Sequence, residues 1–241
     1  MPYPYYFYGL DWTYLILVLP VLILSFIASA KVNSTFKRYS SQSSSRRITG
    51  AQAAQRVLLS NGVTGVRIER VSGKLSDHFD PKANVIRLSE DVYDSMSTAA
   101  IGVACHEAGH AVQYAQNYAP IKFRAAIIPV TNIGSQLAMP LILIGILVTG
   151  LGQFSDILIY LGIACFSLSL IFQLVTLPVE FNASRRAMNT IDEAQILTAA
   201  ERIGARKTLT AAAMTYVVAT LAAFTQLLRL IILFGGRRRR D

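Results

Sequence analysis

The sequence predicts a mainly α-helical, integral-membrane bundle of three to four spans that carries a small α+β insertion. Three observations predict it. Apolar residues make up 53% of the 241-residue chain and charged residues 15%, against about 25% charged in soluble domains. The apolar residues gather in runs long enough to cross a bilayer, which takes about 20 residues of helix. The polar remainder contains His106-Glu107-Ala108-Gly109-His110, an H-E-x-x-H pattern that uses two of the chain's three histidines.

The first span is expected over residues 14–30, an uncharged run preceded by Trp12 and several tyrosines, as at an interfacial aromatic belt. A secretory signal peptide is the competing reading, disfavoured by the missing basic leader and the lack of a small-residue cleavage site before Lys31. Thr49 caps a helix over residues 50–60, which Asn61-Gly62 ends. Residues 65–71 alternate as a strand, 72–81 form a loop or bent strand, and 84–89 form a second strand. Small apolar residues from Ser97 to Cys105 and at Ala111-Val112 place the histidine motif on a buried helix. Residues 127–150 and 157–177 form a membrane hairpin, its first arm kinked and packed against protein because it contains Pro129, Asn132, Gln136 and Pro140. Pro178 opens another helix with Glu180 in its first turn, and Asp192-Glu193 resemble the cap and first turn of the next. The last apolar run, 209–234, is uncharged except for Arg229 and precedes Arg237–Arg240. It either lies partly against the catalytic region or in the interface, or crosses as a fourth span. The expected organisation is an anchor (1–30), a catalytic region (31–126), the hairpin (127–178), a third-ligand helix and its successor (179–207), and an apolar helix with a basic tail (208–241).

Charge sets orientation. Thirteen Lys and Arg lie from Lys31 to Arg124 and five from Arg185 to Lys207, while the amino terminus and the hairpin turn carry none. By the positive-inside rule the protein is multi-pass in the cell membrane, with its catalytic insertion cytoplasmic and its amino terminus outside. The net charge of +9 clusters at membrane borders, where it meets anionic lipid, and no nucleic-acid module is present. Cys105 and Cys165 suggest no disulfide, and Cys105 is read as a small buried apolar residue.

The motif carries the chemistry. Residues four apart on a helix stack, so His106 and His110 can offer ring nitrogens to one Zn²⁺ ion, with Glu107 beside them as the proton-handling base. A catalytic zinc takes three protein ligands and keeps a position for water. Glu180 is the expected third ligand, since the hairpin returns the chain to the same side of the membrane; its other reading is a helix-start carboxylate. His78 is either a loop residue bonded to Asp77 or Asp80, or a donor to the tetrahedral oxyanion, a role for which Arg185 is the rival. Asn84, Val85, Ile86 and Arg87 are expected to guide substrate, pairing with an extended peptide if their strand has an open edge.

The blocks Ser76-Asp77-His78-Phe79-Asp80-Pro81, Val85-Ile86-Arg87-Leu88-Ser89, residues 104–113 around the motif, and Pro178-Val179-Glu180-Phe181-Asn182-Ala183-Ser184-Arg185-Arg186 run in order across most of the chain. Together they resemble the YugP-like neutral zinc metallopeptidases of bacterial membranes. The plan is also similar to the prenyl-protein and heat-shock membrane proteases, whose third ligand is a glutamate after a membrane hairpin. Those proteases place an aspartate four residues beyond that glutamate. Here the position is Ser184, so support for the metal is expected from Asn182 or Ser184 instead. The expectation is a zincin-like, zinc-dependent endopeptidase with one ion, acting at the cytoplasmic face on membrane proteins or peptides. The alternative is a membrane adaptor or scaffold that keeps a structural zinc, against which an intact Glu107 argues. Oligomeric state has no signal in the sequence.

Overall fold

The computed structural model describes residues 11–235. The arginine tail lies outside the described residues. In chain order the elements are a π-helical turn (Tyr14–Val18) leading into α1 (Leu19–Ser40), α2 (Gly50–Ser60), β1 (Arg67–Val71), β2 (His78–Asp80), β3 (Val85–Ser89), α3 (Glu90–Tyr93), α4 (Thr98–Ala115), α5 (Ala119–Leu147), α6 (Gln153–Glu193) and α7 (Ala199–Phe234). Four helical stretches, Tyr14–Ser40, Ala119–Leu147, Gln153–Glu193 and Ala199–Phe234, are long and apolar enough to cross a membrane.

Two compact units divide these elements: residues 11–27, 123–176 and 216–235 form one, and 28–122 with 177–215 form the other. In the first, exposed Leu, Ile and Phe side chains run along the helices, as expected where lipid is the solvent. The hairpin arms of α5 and α6 close on each other at glycine: a Cβ on Gly145 would lie 2.6 Å from Ile159, and one on Gly162 would lie 2.8 Å from the Ala138 carbonyl oxygen. Small residues that let backbones approach are the usual cement of membrane helices. Arg229 of α7 is buried in this unit, pairs with Asp11 at 3.2 Å and stacks over Tyr14. The last apolar run is thus part of one unbroken helix, and from residue 216 it belongs to the unit of apolar helices.

The second unit holds the sheet and the motif helix. Thr49 and Gln52 form a reciprocal capping box at the start of α2. Ser97 caps α4, its hydroxyl accepting from the Ala100 amide at 3.2 Å. The core joins α2, β3, α4, the carboxyl end of α6 and the start of α7 through Val57, Leu58, Ile86, Leu88, Ile101, Val112, Ile191, Ala205 and Leu209. Small residues on α4 admit its neighbours closely, since a Cβ on Gly102 would lie 3.1 Å from Ala205 of α7 and one on Gly109 would lie 2.7 Å from the Ala183 carbonyl oxygen of α6.

Three expectations require correction. The second expected strand, β3, is the centre of the sheet, in the order β1-β3-β2, parallel to β1 and antiparallel to β2. Its hydrogen-bonding flanks are occupied and Val85 and Ile86 are fully buried, so it has no open edge to offer a peptide. Pro178 does not open a helix. It sits inside α6, which runs unbroken through Glu180 to Glu193; a proline forfeits one backbone bond, whereas ending the helix at the foot of an apolar segment would strand several. Consequently Asp192 and Glu193 close α6. The next helix starts with a reciprocal pair of bonds between Thr198 and Glu201.

Candidate metal centre

α4 places His106 and His110 one turn apart, their rings edge-to-face with centroids 4.7 Å apart. α6 brings Glu180 to them. Its Oε2 lies 3.2 Å from His106 Nε2 and 3.6 Å from His110 Nε2, and one donor atom from each of the three residues falls within 4.8 Å of the others. The Glu180 side chain is 3% exposed, a poor place for a carboxylate without a cation or strong donors. The approach is close because Gly109 has no side chain where α4 meets the backbone of Ala183 on α6. Two imidazole nitrogens and one carboxylate oxygen are a donor set that suits zinc and leaves room for a water.

Each histidine is also held through its other nitrogen. His106 Nδ1 lies 3.0 Å from Ser184 Oγ and His110 Nδ1 lies 3.0 Å from Gln113 Oε1. The fully buried Gln113 in turn donates to the Val179 carbonyl at 2.8 Å and to Asn182 Oδ1 at 3.0 Å. Asn182 Oδ1 also accepts from Arg186 Nε at 2.7 Å, and Arg186 stacks over Tyr118 and bonds Gln116. Ser184 and Asn182 are the two residues expected to support the metal site; the structure places one on each histidine's chain of contacts. Gln113 was missed, although its spacing three residues beyond His110 was a usable signal.

Charge around His110 follows from this packing. Burial alone favours its neutral form, but the hydrogen bond to Glu180 and the charges of Glu107 and Glu180 outweigh it and raise its titration above the ordinary imidazole value. Glu107 is half-buried and makes no hydrogen bond among the described residues. Burial pushes the Cys105 thiol up, so it stays protonated, and Cys105 is not in the group of three residues that could hold a metal ion.

The remaining expected residues lie elsewhere. Phe79 of β2 packs edge-on against Tyr114 of α4, so its neighbour His78 points to the opposite sheet face. There His78 bonds the Ser76 carbonyl at 2.7 Å through Nδ1, and its Nε2 faces Arg87. Arg87 also pairs with Asp80 at 2.9 Å and Glu69 at 3.7 Å, which holds the Asp80 carboxyl below its usual range. Asn84 turns the chain before β3 and donates to the Gly65 carbonyl. Arg185 is exposed, and the arginine tied into the site is Arg186.

Over residues 14–235 the chain matches the protein family described as "Putative neutral zinc metallopeptidase". It is 45% identical over 225 residues to the "Putative membrane protease YugP" of Bacillus subtilis (strain 168), covering 93% of this chain and 98% of that protein. No solved structure matches it.

Proposed function

The chain belongs to the neutral zinc metallopeptidase family, and from that premise we propose that it is an integral-membrane zinc endopeptidase acting at the cytoplasmic face on membrane proteins or peptides near the bilayer. One observation carries the proposal: two imidazoles and a buried carboxylate converge beside a glutamate that no hydrogen bond engages among the described residues.

In this reading His106, His110 and Glu180 hold a single zinc ion. When bound, that ion supplies Lewis acidity, which makes water nucleophilic near neutral pH. Glu107 takes the proton that water gives up and passes it to the departing amine, so one carboxylate serves as base and then acid. β2, a strand at the sheet edge whose Phe79 contacts α4, takes the substrate-guiding role first assigned to β3, since its outer flank can pair with an extended peptide.

The charge asymmetry supports the cytoplasmic placement, with eighteen Lys and Arg in the segments from Lys31 to Arg124 and Arg185 to Lys207. The Asp11–Arg229 pair supports four crossings, because it ties the start of the first apolar helix to the last turns of the fourth. The start of the first apolar helix and the end of the fourth then lie outside. The test of the function is Glu107→Gln in the purified full chain: it is expected to keep about one equivalent of zinc and to lose hydrolysis of a fluorogenic peptide library. Unchanged turnover refutes the mechanism.

A further inference from the structure

We infer that Gln113, locked in one orientation by Val179 and by the Asn182–Arg186 pair, is the positioning residue that turns the Nε2 lone pair of His110 toward Glu180. The inference rests on the metal reading of the site and extends it to residues outside the ligand set.

The argument follows from which groups can only donate and which can only accept. A side-chain amide has two ends of similar shape, and its orientation is fixed only by partners of unambiguous role. The network has two such partners. A backbone carbonyl only accepts, so the Val179 oxygen at 2.8 Å faces the amide nitrogen of Gln113. A guanidinium only donates, so Arg186 Nε at 2.7 Å faces the oxygen of Asn182. With its oxygen so assigned, Asn182 accepts from Gln113 at 3.0 Å, which again puts the Gln113 nitrogen on that side. Both hydrogens of the Gln113 amide are thereby used. Its oxygen must face His110 Nδ1 at 3.0 Å, and an acceptor there requires a proton on Nδ1. The free lone pair is then on Nε2, the nitrogen that lies 3.6 Å from the Glu180 carboxylate.

His106 has no such lock. Its Nδ1 meets the Ser184 hydroxyl, which can donate or accept and so imposes no tautomer. The two histidines differ in preparation: one is fixed by a relay that ends in an arginine, and the other can adapt when the ion binds.

The relay gives the network a directional test that packing alone does not. Three variants of the detergent-purified full chain are compared with the parent by zinc competition against a chelator: Gln113→Leu, Asn182→Leu and Asn182→Asp. Gln113→Leu removes the acceptor, and Asn182→Leu leaves the Val179 carbonyl alone to hold the Gln113 amide, which loosens its orientation. Both are expected to weaken zinc binding about 10–100-fold, while Asn182→Asp, which still accepts from Arg186 and Gln113, stays within about threefold of the parent. Labelling histidine with ¹⁵N gives a readout independent of affinity, because only three histidines are present: in the zinc-loaded parent and in Asn182→Asp, His110 shows a hydrogen-bonded Nδ1–H protected from exchange, and the two leucine variants lose that protection. Zinc binding unchanged in Gln113→Leu overturns the inference, as does Asn182→Asp binding as weakly as Asn182→Leu. A merely structural role would lower the melting temperature of the zinc-free variants and leave their zinc dissociation constants unchanged. His106→Ala is the separate control: if it binds zinc as the parent does, the metal reading itself fails.

Discussion

Gly109→Ala should break the candidate site without touching His106, His110 or Glu180. The missing side chain is what lets α4 and α6 meet: a Cβ at residue 109 would lie 2.7 Å from the Ala183 carbonyl oxygen, 3.3 Å from its carbon and 3.4 Å from its Cα. The atom struck is backbone, which cannot swing away as a side-chain tip would. To restore an ordinary contact near 3.4 Å the helices must part by roughly 0.7 Å, and overpacking of this kind costs about 1–3 kcal/mol. Glu180 sits three residues before Ala183 on the same helix, so it withdraws with the backbone. Zinc sites tolerate departures of only about 0.2 Å in ligand distance. The expected result is a fall of at least about tenfold in zinc affinity, measured by chelator competition, together with a lower melting temperature. Gly150→Ala is the matched control, since its Cβ would meet nothing within 4 Å. Gly109→Ala with the zinc affinity and melting temperature of the control would show that the α4–α6 approach does not set the ligand geometry.

Glu180→Ala should lower zinc occupancy in elemental analysis of the purified protein, and full occupancy would mean that the third ligand lies elsewhere. The apparent affinity for zinc should begin to fall, as pH is lowered, from above the ordinary imidazole value of about 6.5, because the raised titration of His110 in the zinc-free site lets a proton compete at higher pH; in zinc-free protein the same shift contributes stability that is present below that ordinary value and is lost as pH rises through the raised one. Binding titrations across pH check the first and thermal melts the second. Asp11→Leu removes one partner of buried Arg229 and should lower the melting temperature, while Asp11→Leu with Arg229→Leu recovers most of the loss. Melting curves in one detergent read the difference, and an unaffected single variant would show that the pair does not hold the helices together.

What the sequence made legible was whatever depends on neighbours along the chain. The span of α2 followed from Thr49 and the Asn61-Gly62 stop, because capping and turn chemistry act within a few residues. His106 and His110 shared a helix face by spacing alone. Ser184 could be singled out as a departure from a pattern, yet not that its hydroxyl would meet His106. The errors came where a segment's fate depends on distant contacts. β3 showed the hydrophobicity of a substrate strand, but a central strand flanked on both sides is also apolar, and pairing order is invisible to local pattern. Pro178 is a helix opener by local preference; the cost of unsatisfied backbone at an apolar boundary overrides it. The two readings of His78 turn on a smaller matter: one step along a strand reverses the face a side chain presents, and Phe79 takes the face toward α4.

The unbroken course of α6 also changes the electrostatics of the candidate centre. Had Pro178 opened a helix, Glu180 would have stood in a first turn among unpaired amides carrying a partial positive charge. Such a terminus favours the carboxylate but opposes a divalent cation only a few ångströms further on. Within a continuous helix the amides around Glu180 are spent on backbone carbonyls, apart from the donor that Pro178 lacks. The Glu180 charge is then left to be met by a cation shared with the two Nε2 atoms that its oxygens face. Gln113 completes the arrangement from the other side by bonding the Val179 carbonyl, the residue between Pro178 and Glu180. One buried amide thereby fixes both the ring of His110 and the stretch of α6 that presents the carboxylate. That double attachment explains why a residue outside the ligand set should govern affinity for the ion.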